Sequence, residues 1–168
     1  MEVELENLTI FREIGNGNFS HVREASVVGL KGFSGLPVSV AAKFSSEKVS
    51  QNDQSMLFSE AKQMTRFQHK NVVRLLGVCF QVMPCCILLE LMPNGDVKSY
   101  FKAWQAAVAD RGIVPISPSH LWSIALDSAA GFEYLASIKH VHRDMAARNV
   151  VLAADGTAKI GDFGTLVF

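Results

Sequence analysis

Apolar positions along the first ninety residues recur in short, strand-like runs, and further on they recur every three or four residues, so the change of period divides the chain. Leu8–Ile14 and Val22–Val28 predict strands on either side of the glycine-bearing stretch Gly15-Asn-Gly-Asn-Phe-Ser20. Residues 29–37 carry three glycines and a proline and predict a loop. From 38 to 44 the pattern alternates. Val38, Val40, Ala42 and Phe44 share one face, and Ser39, Ala41 and Lys43 the other, which predicts a half-buried strand with a lysine on its less apolar side.

Residues 53–67 predict a helix with Asp53 as N-cap and an apolar stripe of Leu57, Ala61 and Met64. Glu60 lies within that stripe, and a carboxylate there is costly unless a positive group meets it. Strands are expected at Val72–Phe80 and Ile87–Leu91, and a turn at Met92-Pro-Asn-Gly95. Helices follow over 96–109 and 119–138, the second introduced by Ser117-Pro118, a cap residue and a first-turn proline. Its expected stripe is Leu121, Ile124, Ala125, Ala129, Phe132 and Leu135. The pattern predicts an α+β protein: a strand-rich lobe over 1–91 with one main helix, a hinge at 92–95 and a helix-rich lobe over 96–168.

Composition narrows the partners. Sixteen basic and sixteen acidic residues balance, which gives no nucleic-acid footprint and no membrane-surface patch. No apolar run is long enough to cross a bilayer, and the acidic start Met1-Glu-Val-Glu-Leu-Glu lacks the layout of a signal peptide. Cys79, Cys85 and Cys86 show no metal-ligand spacing; buried, reduced thiols and a reducing intracellular setting are expected.

The chemistry is concentrated in a few places. Gly15-x-Gly17 between two strands is either a hairpin turn or a loop whose backbone N–H groups lie close over phosphates, with Ser20 where a third glycine would stand. The strand-to-strand setting argues against a dinucleotide-binding fold. Lys43 closes Val40-Ala-Ala-Lys, and Glu60 follows 17 residues on, so an ion pair would account both for a strand lysine and for a carboxylate in an apolar stripe. His142-Arg143-Asp144, with Asn149 after four intervening residues, packs charges and donors between apolar flanks, and Asp162-Phe163-Gly164 follows. Asp144 suits the acceptance of a hydroxyl proton, and Asn149 and Asp162 are oxygen donors suited to Mg²⁺ beside phosphates.

That order of motifs resembles a protein kinase, and "HRDMAARN" resembles the tyrosine-specific branch. "NVVRLLGVC" (71–79), "LELMPNGDVKSYF" (89–101) and "KIGDFG" (159–164) are similar to receptor tyrosine kinases, most of all those of the insulin-receptor type. The resemblance implies a bilobal kinase fold, ATP and Mg²⁺ as cofactors, and protein substrates bearing tyrosine. It implies Arg148 beside the catalytic Asp144 to accommodate a phenolic acceptor, with Ala146 where serine/threonine kinases carry lysine. Gly15, Gly17, Lys43 and Glu60 would hold phosphates. Leu89 would be the gatekeeper, Glu90 to Met92 the adenine-binding hinge, Val22, Ala41 and Val151 the adenine walls, and Asp96 a neighbour of the ribose. Met145 replaces a commoner leucine at similar volume. A parent receptor or partner kinase, and a cytoplasmic site beside the plasma membrane, are implied in the same way.

The sequence runs four residues past the Gly164 of Asp-Phe-Gly, and "TLVF" carries neither an activation-segment tyrosine nor an Ala-Pro-Glu motif; Tyr100 and Tyr134 fall in helical segments, and Arg143 has no phosphate partner in sight. Two readings follow: an incomplete catalytic domain of an active enzyme, or a catalytically inactive kinase remnant that binds nucleotide or a partner. On either reading this chain alone is expected to transfer phosphate poorly and to leave Trp122 and Phe132 facing water.

Overall fold

The computed structural model describes residues 2–16, 20–45, 51–81, 83–114 and 116–163, which fall into two compact units. Of these residues, the first unit holds those up to Phe67 together with Arg74–Leu91, and the second holds Gln68–Val73 and those from Met92 to Phe163.

In the first unit, β1 (Leu8–Asn16), β2 (Ser20–Val27), β3 (Val38–Ser45), β4 (Leu75–Cys79) and β5 (Cys86–Glu90) form one antiparallel sheet in the order β1-β2-β3-β5-β4. Val40, Ala42 and Phe44 share one face of β3, as the alternation predicts, and pack with Ala25, Val27, Cys79, Cys86 and Leu88. The half-buried strand is corrected. From Val40 onward β3 is buried on both faces: Val40, Ala42 and Phe44 enter the core, and Ala41 and Lys43 are covered as well, the lysine meeting Glu60 of the following helix. Helix α1 runs Gln51–Met64, so Asp53 stands inside it and not at the flanking position expected. Leu57, Glu60, Ala61 and Met64 are all buried.

The apolar run 72–80 does not form one strand. β4 begins at Leu75, and Val72 instead bridges Ile160 in the second unit. Asn71 O accepts from Ile160 N (2.9 Å), and Val73 N donates to Ile160 O (2.8 Å). Asn71 is fully buried, and its Nδ2 donates to Ala158 O at 2.9 Å.

The rest of the second unit is helical, with one hairpin. Helix α2 (Val97–Arg111) is capped by Asp96, which accepts from Ser99 N, and stops at Gly112 with φ 61°. Helix α3 (Pro118–Ser137) starts at Ser117, which accepts from His120 N, with Pro118 in its first turn. Its buried residues are Ile124, Gly131 and Leu135, while Leu121, Ala125 and Ala129 are exposed and Phe132 is half-buried. The expected stripe is therefore rotated, because the helix is seated on its bare Gly131. A Cβ there would lie 2.5 Å from Asn71 O and 2.7 Å from Ile160 Cγ1. Strands β6 (Val150–Leu152) and β7 (Ala158–Ile160) pair in an antiparallel hairpin that the periodicity did not reveal.

Candidate active site

Lys43 stands in the middle of β3, paired across the sheet with Val22 on β2 and Ile87 on β5. Its Nζ donates to Glu60 Oε1 at 2.8 Å and to Oε2 at 2.9 Å, and both side chains are nearly out of water. The apolar stripe of α1 carries the glutamate to the strand. Two buried charges in such contact persist because their mutual attraction and the two hydrogen bonds offset the cost of taking them out of water. Around them, Ala41 is buried and aligns with Leu89, and Val22 is half-buried and aligns with Gly15. Among the described residues, a Cβ added to Gly15 would meet Val22 at ordinary contact distance. Gly17 lies outside the described residues, as does Gly164.

At the end of the first unit, Glu90 holds the start of β4: its Oε1 accepts from Arg74 N (2.8 Å), and its own N–H donates to Arg74 O (3.1 Å). Met92 opens the second unit, and its carbonyl accepts from Gly95 N (3.1 Å) in the turn before Asp96. Asp96 has one carboxylate oxygen engaged as the cap of α2 and bridges Val151, which is half-buried on β6.

The second unit gathers the remaining polar residues around one loop. Asp144 accepts from Arg148 Nη2 (2.6 Å) on one oxygen and from Asn149 Nδ2 (2.7 Å) on the other. The same Asn149 nitrogen reaches Asp144 O at 2.9 Å. These contacts hold the Asp144 carboxyl below the usual carboxylate range, the hydrogen bond from Asn149 first and that from Arg148 next, against partial desolvation. The one-turn 3-10 helix Ala147–Asn149 places Arg148 and Asn149 within reach of the aspartate.

His142 fixes this loop from below. Its Nε2 lies 2.8 Å from Gly161 O, and since a carbonyl only accepts, that nitrogen carries the proton. The ring packs against Phe163 (centroids 5.1 Å apart) and edge-on to Phe132 (5.9 Å). Gly161 N donates to Asn149 O at 2.8 Å, closing the loop onto the strand that leads to Asp162. Arg143 and Asp162 both take positive φ, 67° and 58°, a region that non-glycine residues enter at a cost of ~1–3 kcal/mol and that recurs at functional sites. Asp162 is exposed, next to the buried Phe163.

Among the described residues no group of three His, Cys, Asp or Glu is placed to hold a metal. Asn149 and Asp162 nonetheless offer the hard oxygens that Mg²⁺ takes together with phosphate and water. The amide nitrogen of Asn149 is committed to Asp144, which leaves its amide oxygen as the acceptor for such an ion.

A family model described as protein tyrosine and serine/threonine kinase matches residues 8–167. The chain belongs to that kinase family. Its relatives include the leukocyte tyrosine kinase receptor of Mus musculus, 40% identical over 166 residues, covering 97% of this chain and 18% of the receptor. The insulin receptor-related protein of Cavia porcellus is 40% identical over 165 residues, covering 97% of the chain and 12% of that protein. A putative insulin-like peptide receptor of Hydra vulgaris is 38% identical over 163 residues, with 97% and 11% covered. This kinase chain thus spans less than a fifth of the length of the relatives it matches. The family and its receptor-type relatives agree with the resemblance carried by the motifs, and the five-stranded sheet with its helices agrees with the kinase fold. No described helix is long and apolar enough to cross a membrane.

Three residues that matter to the site drew no structural expectation. Asn71 anchors β7, Gly131 admits Asn71 and Ile160, and Gly161 joins His142 to Asn149. An asparagine before two valines, a glycine in the middle of an apolar helix, and a glycine between Ile160 and Asp162 are the signals they left in the sequence.

Proposed function

We propose that the chain is the catalytic part of a receptor-type protein tyrosine kinase, which moves the terminal phosphoryl group of ATP to tyrosine hydroxyls with Mg²⁺, on the cytoplasmic side of the membrane. The observation that carries this reading is the contact of Arg148 and Asn149 with the two oxygens of one carboxylate, Asp144. Lys43, oriented by both oxygens of Glu60, binds the nucleotide's phosphates. The glycines at 15 and 17 let the backbone approach the same phosphates, while Val22, Ala41 and Val151 wall the adenine and Glu90, Met92 and Asp96 contact the base and ribose. Bound Mg²⁺ supplies charge neutralisation at the transferring phosphate, and Asn149 and Asp162 hold it.

Asp144 is ionised at neutral pH, since its contacts lower its pKa. It therefore accepts a hydrogen bond from the acceptor hydroxyl and orients it in line, taking the proton as the bond to phosphorus forms. Ala146 leaves room beside it, and Arg148 borders the place where a phenolic ring, longer than a serine side chain, reaches the carboxylate. The test is transfer of labelled γ-phosphate by the intact protein to paired peptides that differ only in tyrosine or serine at the acceptor position. Tyrosine transfer that falls at least a hundredfold in Asp144→Asn is expected. Nucleotide binding without transfer to either peptide would favour a non-catalytic binding module, and serine transfer alone would overturn the tyrosine assignment.

A further inference from the structure

The first unit contains a concavity that shares no residue with the Lys43–Glu60 pair. It is a cavity of about 430 Å³ lined by Glu2, Val3, Leu30, Lys31, Phe33, Arg74 and the leucines 75 and 76. One wall is the N-terminal segment, held to β4 by Val3 N donating to Val78 O (2.8 Å). Another is the loop after β2, folded by Phe33 N to Leu30 O (3.1 Å) and shaped by Gly29 and Gly32 at φ 81° and 91°. Leu30 and Leu75 are buried and Leu76 half-buried, which gives the cavity an apolar floor. The main chain of Arg74 is fixed on both sides by Glu90, yet among the described residues its guanidinium has no partner, and neither has the ammonium of Lys31.

We propose that this cavity binds a small amphipathic carboxylate, its apolar body on Leu30, Leu75 and Leu76 and its carboxylate on Arg74 and Lys31. The volume lies in the range of small-molecule sites, which combine apolar lining with a few polar groups that fix orientation. An uncharged apolar occupant would leave the two cations at the rim without a counter-charge. A phosphate dianion would leave the leucine floor unused and would meet the like charge of Glu2. A single carboxylate suits a net positive rim, and it matches the guanidinium fork.

The test is titration of the ¹⁵N-labelled chain with phenylbutyrate and, separately, with its neutral amide, followed by backbone amide shifts. Phenylbutyrate is expected to move the resonances of residues 29–33 and 74–76. Lys31→Gln and Arg74→Gln should each weaken binding roughly tenfold, as expected for the loss of one charge-assisted hydrogen bond. Glu2→Gln should tighten it, and the amide should bind at least tenfold more weakly than the acid. All three substitutions sit on exposed side chains, and an unchanged spectrum elsewhere confirms the fold. Equal affinity for acid and amide, indifference to both cation substitutions, or shifts confined to other residues would overturn the proposal.

Discussion

Removing one partner of the Lys43–Glu60 pair leaves a charge where water barely reaches, so each single substitution should cost more than the pair is worth. Lys43→Met or Glu60→Leu alone is expected to destabilise the fold by about 3–5 kcal/mol, read from urea midpoints. The double variant should recover to within about 1 kcal/mol of the parent, because two apolar side chains of similar size can replace a buried pair. Mg-ATP binding should nevertheless be lost in all three. Recovery of stability without recovery of binding separates the grip on phosphate from the scaffold. Asp144 has a second testable property, its depressed pKa, caused first by the hydrogen bond from Asn149 and then, against partial desolvation, by the hydrogen bond and charge of Arg148. A carboxyl lowered in this way contributes stability above its unfolded value near ~3.9, and that contribution is lost as pH falls through the folded value. Carboxyl-carbon NMR should therefore show Asn149→Ala and Arg148→Ala each raising the Asp144 pKa. The acid limb of any rate profile between pH ~5 and ~8 should then belong to another group.

Helix α3 is seated through a residue with no side chain, and that contact has a measurable cost when filled. Alanine is intrinsically favoured over glycine in a helix by about 1 kcal/mol. At Gly131, however, the new methyl would lie 2.5 Å from the backbone oxygen of Asn71, which is itself tied to Ile160 N and cannot give way cheaply. Overpacking of this kind costs about 1–3 kcal/mol or more. Gly131→Ala should therefore destabilise despite its propensity, whereas alanine already stands exposed at 125 and 129 on the same helix. An unchanged or raised thermal midpoint would show that the helix can shift aside. The same contact explains why the buried stripe differs from the one the spacing predicts. Counting apolar side chains at helical spacing weights Leu121, Ala125 and Ala129, but the closest approach is made where no side chain exists. The β6–β7 hairpin was hidden differently. Each strand has three residues, too short for periodicity, and the usable sign was the Asp155-Gly156 turn, with Gly156 at φ 85°. The caps at Asp96 and Ser117, by contrast, belong to local chemistry, and so both helix starts could be read to within a residue.

For the molecule as a whole, the order of motifs along the chain carried the family, because each motif is a fixed local spacing of chemically demanding residues. What could not be read was how one apolar stretch is shared: Val72 and Val73 are as hydrophobic as the strand that follows, and only the tertiary contact with Ile160 assigns them to the second unit. The thiols offer a probe of the first unit's opening. Cys79 and Cys86 face each other across β4 and β5 and are buried. Burial, then the neighbouring Cys79, pushes the Cys86 thiol up to about 12. Alkylation at pH ~8 should spare both until denaturant opens the sheet, and mass spectrometry of the labelled peptides reads this directly. An acid whose folded pKa is raised stabilises fully below its unfolded value, here 9.0, and loses that contribution as pH climbs toward the folded one. Melting temperature should accordingly fall on the alkaline side, and less so in Cys86→Ala.

The passage of residues 68–73 out of the first unit and back also bears on heredity. A gene cut cleanly after codon 91 would hand the upstream fragment a buried asparagine and two buried valines with nothing to receive them. The downstream fragment would keep Gly131 and Ile160 without the strand segment that fills their groove. Exchange of the two units between related genes is therefore penalised unless this six-residue loan travels with its creditor, so the two units are expected to be inherited, duplicated and lost as one.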